Sequence, residues 1–393
     1  MNIIDLIVRF LNETGIVSFF QGDGWMNLIM IVIGCVFLYL AIKKGYEPYL
    51  LIPIAIGIIL VNIYPDIYVT KDATGTIISR GLLGTLHIGV EHELYPCLIF
   101  IGIGATTDFG PLITNKKTML LGAAAQLGIF AAFFGALALS QTGIEALKFT
   151  VGDAAGIGII GGADGPTAIL VSNKLASPDL TAGIALAAYS YMALVPVIFP
   201  PIIKAFTTKK ERQIRMEETK QATKLQRILF PIIATVVCCV IVPSCTPLIG
   251  CLMFGNLIKE SGVVPNLVHT AANALLYICT ILLGLSVGAT AIGTTFLQAK
   301  TLMIFVLGIT AFVIAAIGGL LGGKIMCKAT KGKVNPMIGA AGVSAVPMAA
   351  RVVHKIGQEE DPENFLLMHA MGPNVAGVIG SAVAAGILLS MIG

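Results

Sequence analysis

The sequence predicts an all-α polytopic membrane protein, with about ten transmembrane helices plus two re-entrant or broken helices arranged as inverted-topology repeats. Three observations predict this class. Of 393 residues, 56% are hydrophobic and only 12% charged, against roughly 25% charged in an ordinary soluble domain. Runs such as 25–42 and 302–321 reach the ~18 apolar residues of a spanning helix. Helix is the form such runs must take where no water can satisfy the backbone. Finally, one pattern is written twice. At an offset of 181, Gly161/Gly342, Pro166/Pro347, Ala168/Ala349, Val171/Val352 and Lys174/Lys355 are identical. Both stretches are Gly- and Pro-rich interruptions of apolar sequence, the usual pointer to a transporter's binding site.

The elements follow in chain order. Ile3, Ile4, Ile7, Phe10 and Leu11 recur at helical spacing around Asp5, Arg9 and Asn12, which predicts a helix lying in the interface rather than a cleavable signal. Lysine and arginine are expected on the cytoplasmic side, which places Lys43-Lys44, Lys116-Lys117 and the loop 204–227 there. Segment 25–42 then runs inward, 48–63 outward, 95–112 inward, 118–140 outward and 180–203 inward. That leaves 153–175 without a net crossing, so it enters from outside and returns. In the second half, Lys324, Lys328, Lys331 and Lys333 mark the inner side. Segment 301–323 comes in, 366–390 goes out, and 335–355 re-enters from the cytoplasm. Two crossings are expected in 228–268, a stretch broken by Pro243, Pro247 and Gly250. Further matches, Gly104-Ala105-Thr106 with Gly288-Ala289-Thr290 and Lys117-Thr118 with Lys300-Thr301, are collinear with the first. The predicted organisation is 1–94, an interfacial helix and scaffold helices; 95–206, the first repeat; 207–276, the basic loop and connecting helices; and 277–393, the second repeat.

Several function classes are excluded. Loop 204–227 holds eight Lys/Arg against three Glu, but almost no interleaved aromatics, so it reads as a cytoplasmic loop and not as a nucleic-acid surface. The eight cysteines are scattered without a CxxC pair and read as small buried hydrophobes. The five histidines lack metal spacing, and there is neither a Walker A run nor a GxSxG elbow.

The chemistry-bearing candidates cluster at the interruptions. Asp164 lies between Gly158-Ile159-Ile160 and Ala168–Val171, and a carboxylate at membrane depth is a functional residue by default; the alternative is a solvated turn at Gly165-Pro166. Asp153 and Asp108 sit near segment boundaries and read as interfacial. Asn335, Ser344 and Asn374 add neutral oxygens. With Asp164 and freed backbone carbonyls they suit a hard monovalent cation such as Na⁺, while capping or interhelical hydrogen bonding is the plainer role for the asparagines. Arg351, the sole arginine after Arg227, can fork a carboxylate or snorkel at the interface. Tyr191 can relay a proton or donate to a ligand, or simply pack.

Four motifs carry a resemblance: Gly161-Gly162-Ala163-Asp164-Gly165-Pro166-Thr167-Ala168-Ile169, the run from Gly102 to Pro111, the run from Asn335 to Arg351, and His369-Ala370-Met371-Gly372-Pro373-Asn374-Val375-Ala376-Gly377. Together they resemble the β subunit of the sodium-pumping biotin-dependent decarboxylases, the family serving oxaloacetate, methylmalonyl-CoA, glutaconyl-CoA and malonate systems. The resemblance covers about residues 95–393. It implies a subunit of the cytoplasmic (inner) membrane that decarboxylates carboxybiotin, consumes a proton and exports Na⁺. The biotin would be attached not to this chain but to a partner carrier. The implied partners are the biotin carrier and carboxyltransferase subunits and a small γ-type membrane subunit, within an oligomer surrounded by membrane lipid. The resemblance implies Na⁺ binding at Asp164, Asn335, Ser344 and Asn374, help from Tyr191 in proton or ion handling, and carboxybiotin binding at Arg351 and Gly339, where glycine allows close packing. A Na⁺-coupled secondary transporter, either a Na⁺/H⁺ antiporter or a carboxylate symporter, is the competing expectation. It shares everything except a carboxybiotin site at Arg351.

Overall fold

The computed structural model describes residues 19–20, 22–71, 77–144, 147–217, 221–345 and 347–393. The interfacial helix predicted for the first twenty residues falls almost wholly outside them. The chain begins with α1 (Gly24–Lys44) and α2 (Pro48–Ile63), an antiparallel hairpin β1 (Val69–Lys71) and β2 (Ile77–Arg80), and α3 (Leu82–Glu91). It continues with α4 (Leu94–Thr106), α5 (Gly110–Thr114), α6 (Met119–Ala125), α7 (Leu127–Ser140), α8 (Val151–Ile159), α9 (Gly165–Leu175), α10 (Pro178–Phe206) and α11 (Lys209–Arg212). Then follow α12 (Lys224–Ile241), α13 (Thr246–Ser261), α14 (Pro265–Thr270), α15 (Leu276–Ala289), α16 (Gly293–Phe296), α17 (Ala299–Ala329), α18 (Met348–Glu360) and α19 (Leu367–Ile392).

Among the described residues, seven helical stretches are long and apolar enough to cross a membrane: Gly24–Lys44, Lys116–Ser140, Leu180–Phe206, Lys224–Ile241, Pro265–Ala289, Ala299–Ala329 and Leu367–Ile392. The number is eight if α3 and α4 form one bent span, and Pro48–Ile63 and Val151–Gly162 are apolar but shorter. This agrees roughly with the expected count, because a length criterion passes over broken helices. Region 228–268 is filled by α12 and α13, separated by a 3-10 turn at Pro243–Cys245. A proline there cannot donate the backbone bond a continuous helix needs.

The chain divides into two compact units, one of 1–92 with 280–302 and one of 93–279 with 303–393. In the first, Asn62 of α2 donates to the carbonyl of Ala291 at 2.8 Å and accepts from the amide of Gly293 at 2.9 Å. It thereby satisfies a turn that would otherwise leave buried polar groups without partners.

The second unit holds both interruptions. The first is α8, a 3-10 turn at Ile160–Gly162, and α9. Between turn and α9, Ala163 adopts a left-handed φ of 57°, a conformation costly for a residue with a Cβ; it ends one helix and turns the chain into the next. The second is a 3-10 segment Pro336–Gly342, then extended backbone at Val343, then α18. Its proline sits at the start of the segment, where a missing N–H costs nothing. The two interruptions share a core that includes Ile160, Ala163, Ala168, Ile338, Ala341 and Val343.

Candidate functional site

Asp164 is the N-cap of α9: its Oδ1 accepts from the amide of Thr167 at 3.3 Å. The positive end of the helix dipole therefore faces the carboxylate. Gly165 and Pro166 are buried at the start of α9 rather than forming a solvated turn. The other carboxylate oxygen accepts from Ser381 Oγ of α19 at 2.8 Å, and Ser381 Oγ lies 3.3 Å from Ser344 Oγ. The Thr167 hydroxyl is buried and has no hydrogen-bond partner among the described residues. Backbone joins the interruptions directly, since the amide of Ser344 donates to the carbonyl of Gly162 at 3.0 Å. Asn374, also on α19, holds the second interruption open by donating to the carbonyls of Ala341 at 2.9 Å and Val343 at 2.7 Å. Its Oδ1 is buried and has no hydrogen-bond partner.

This donor set is all oxygen: one carboxylate, hydroxyls from Thr167, Ser344 and Ser381, and an amide oxygen with nothing to bind. Among the described residues no group of three or more His, Cys, Asp or Glu could hold a transition metal. Hard oxygen ligands with a single negative charge match a monovalent cation.

The expected site residues do not all meet. Asp164 and Ser344 do, bridged by Ser381, while Asn374 bonds the backbone beside Ser344. Asn335 instead stands at the opposite end of the 3-10 segment: it donates to the carbonyls of Arg212 and Ile214 at 3.1 and 2.9 Å and accepts from the amide of Met337 at 3.0 Å. Those bonds anchor the basic loop. The Tyr191 hydroxyl donates to the carbonyl of Phe305, and its ring packs against Phe305 and Phe312, so it faces α17. Gly339 is a backbone crossing: a Cβ there would come within 2.0 Å of the Gly319 carbonyl oxygen on α17. Arg351 is exposed near the start of α18 and has no acidic partner among the described residues. Asp153 closes a capping box with Thr150, and Asp108 accepts from the amide of Gly110 at 2.8 Å and lies 3.5 Å from Arg227.

Two residues were not foreseen. Ser381 lies in an uninterrupted apolar run; the available signal was its spacing of seven from Asn374, which puts both on one helix face. Tyr189 packs its ring directly on Gly165, where a Cβ would lie 2.2 Å from Tyr Cε1. Its buried hydroxyl has no hydrogen-bond partner and lies within electrostatic range of Asp164.

The basic loop is stitched to the end of α18. Arg215 forks Asp361 at 2.6 and 2.9 Å and reaches Glu363 at 2.6 Å, while Arg212 pairs with Glu360 at 2.7 Å. The Arg215 hydrogen bonds hold the Asp361 carboxyl below the usual carboxylate range.

Comparison with known proteins supplies the deciding observation: residues 26–392 match the family model of the Na⁺-transporting oxaloacetate decarboxylase beta subunit. The chain belongs to that family. Similar proteins include the methylmalonyl-CoA decarboxylase subunit beta of Propionigenium modestum, 52% identical over 99% of this chain and 100% of the relative. The glutaconyl-CoA decarboxylase subunit beta of Acidaminococcus fermentans is 50% identical over 98% of each chain. The oxaloacetate decarboxylase beta chain of Klebsiella pneumoniae is 47% identical over 95% of this chain and 98% of its own. As a decarboxylase β subunit, the chain is a multi-pass membrane component of a Na⁺-transporting decarboxylase. These relatives, about half identical to this chain, are named for different substrates.

Proposed function

We propose that this β subunit discharges carboxybiotin presented by a partner carrier and couples that step, with uptake of one proton, to Na⁺ export through the Asp164 centre. Carboxybiotin supplies a labile N–CO₂⁻ bond: on cleavage the bonding electrons stay with the ureido nitrogen, which takes a proton, and CO₂ leaves. The chain's own residues do the rest. Asp164 binds Na⁺ when ionised and carries a proton when neutral. Ser381 and Thr167 hold its oxygens in place, and Ser344 with the free Asn374 oxygen completes an oxygen shell. Arg351, exposed at the start of α18, meets the anion on the face that bears the basic loop, which we place in the cytoplasm. Asn335 acts by holding that loop, and Gly339 by allowing α17 to approach.

One observation carries this reading: a buried carboxylate is held where two helix interruptions touch, on a family of Na⁺-transporting decarboxylases. A ligand shifts a conformational equilibrium only by its differential affinity for the two states. Coupling therefore requires Na⁺ and carboxybiotin to favour the same state. The inner-membrane location, the carrier, carboxyltransferase and small γ-type partners, and an oligomeric assembly belong to the same proposal. The test is reconstitution in vesicles with biotinylated carrier and carboxyltransferase, following radiolabelled Na⁺ against each candidate acid. Na⁺ uptake is expected only with a decarboxylated substrate. Na⁺/H⁺ exchange that needs no carboxybiotin would favour the plain antiporter.

A further inference from the structure

Away from Asp164, residues 113–117 and the end of α17 enclose a cleft of about 510 Å³. Lys116, Lys117 and Lys333 line it, together with the polar side chains of Asn115 and Thr330 and the apolar ones of Met326 and Val334. It lies on the basic-loop face: Lys333 pairs with Glu217 at 3.8 Å, and Val334 precedes Asn335, which bonds the loop backbone. Among the described residues neither Lys116 nor Lys117 has an acidic partner. The Lys333 pair is highly exposed and so contributes little of its own.

We propose that this cleft is the seat of the carboxylated ureido ring, a proposal that rests on the function assigned above. The chemistry matches part by part. The carboxylate needs cations; the ureido N–H and C=O need an amide or hydroxyl such as Asn115 and Thr330; the sulfur ring needs an apolar wall such as Met326 and Val334. The volume lies within the range of small-molecule sites. The cleft also leads to the ion centre along two walls. Val334 opens the segment whose far end carries Ser344. On the other wall Thr118 packs on Gly372 of α19, two residues before Asn374. One turn on, α6 touches Gly342, Ala376 and Gly377 through Leu121 and Gly122. An anion seated in the cleft thus bears on the elements that hold Ser344 and Asn374. Arg351 would then guide the anion from outside the cleft.

The experiment measures acylation of Lys116 and Lys117 by succinimidyl acetate, read by mass spectrometry on the wild-type protein. Carboxylated carrier protein is expected to slow acylation about tenfold relative to the same carrier bearing uncarboxylated biotin. Lys116→Gln with Lys117→Gln is expected to raise the KM for free carboxybiotin about tenfold with little change in kcat, and Arg at both positions to restore it. Equal acylation with the two carriers, or an unchanged KM, overturns the cleft. Protection by phosphatidylglycerol vesicles but not by the carboxylated carrier overturns it in favour of a lipid headgroup. A wild-type protein that cannot discharge carboxybiotin at all overturns instead the function on which the cleft depends.

Discussion

Ser344 donates its backbone amide to the carbonyl of Gly162 at 3.0 Å, so the two helix interruptions are hydrogen-bonded to each other. Beside that bond, Ser381 bridges the Asp164 carboxylate and the Ser344 hydroxyl. Charge and neutral oxygens from residues 180 positions apart therefore form a single centre.

Removing the charge removes the centre. Asp164→Asn is expected to lower Na⁺-dependent decarboxylation and Na⁺ transport together by about a hundredfold or more. Ser381→Ala takes away one hydrogen bond to a charged group, worth ~1.5 kcal/mol, and should raise the KM for Na⁺ about tenfold. Na⁺ activation curves of the purified complex check both; undiminished Na⁺ activation in Asp164→Asn sinks the assignment.

The two tyrosines of α10 should separate. Tyr191→Phe loses a hydrogen bond to a backbone carbonyl and is expected to lower stability by ~1 kcal/mol while leaving the pH–rate profile in place. Tyr189→Phe removes a buried hydroxyl that has no hydrogen-bond partner and is expected to shift that profile and the Na⁺ affinity. Identical profiles for wild type and Tyr189→Phe would count against a role for Tyr189.

Gly339→Ala and Gly319→Ala should behave alike, because each would drive a methyl group into the other's backbone. Overpacking of this kind costs ~1–3 kcal/mol or more, readable as a lowered thermal midpoint in detergent. A harmless Gly319→Ala beside an inactive Gly339→Ala would point to direct contact of Gly339 with a ligand.

The loop latch has a definite pH sense. Hydrogen bonds from Arg215 depress the Asp361 pKa. Their stabilisation is therefore present above the unfolded value of ~4 and is lost as pH falls through the folded value. Arg215→Ala should make the loop 204–217 severalfold more sensitive to protease at neutral pH, an effect that high salt partly reproduces in the wild type. Equal cleavage rates in 50 mM and 1 M salt, about fourfold apart in screening length, would remove the latch.

Topology is testable at the repeated lysines. Lys174 and Lys355 occupy equivalent positions and are both exposed. Cysteines placed there should be labelled from opposite faces of oriented vesicles, 174 from outside and 355 from inside. Labelling of both from one face would remove the inverted arrangement.

Much of this was legible in the chain. Helical class follows from hydropathy, and the interruptions follow from Gly and Pro at one offset. Asp164 stood out because a carboxylate in apolar sequence needs a reason. What escaped were choices between near neighbours. Tyr189 and Tyr191 differ by two residues, about 200° around a helix, and only packing tells which one meets Gly165. Asn335 carries the amide expected of a ligand, but its partners are carbonyls of a loop some 120 residues away, and no local pattern announces them. Ser381 is a small polar residue in an apolar run, ordinary in composition, and significant only because Asp164 lies across from it.

The helix α19 carries Asn374 and Ser381 seven residues apart, about 10 Å along its axis. One fastens the second interruption and the other reaches the first. The helix therefore works as a gauge bar between the two interruptions. A shift that lifts Ser381 from Asp164 also pulls on the carbonyls of Ala341 and Val343, so a movement at one interruption is felt at the other.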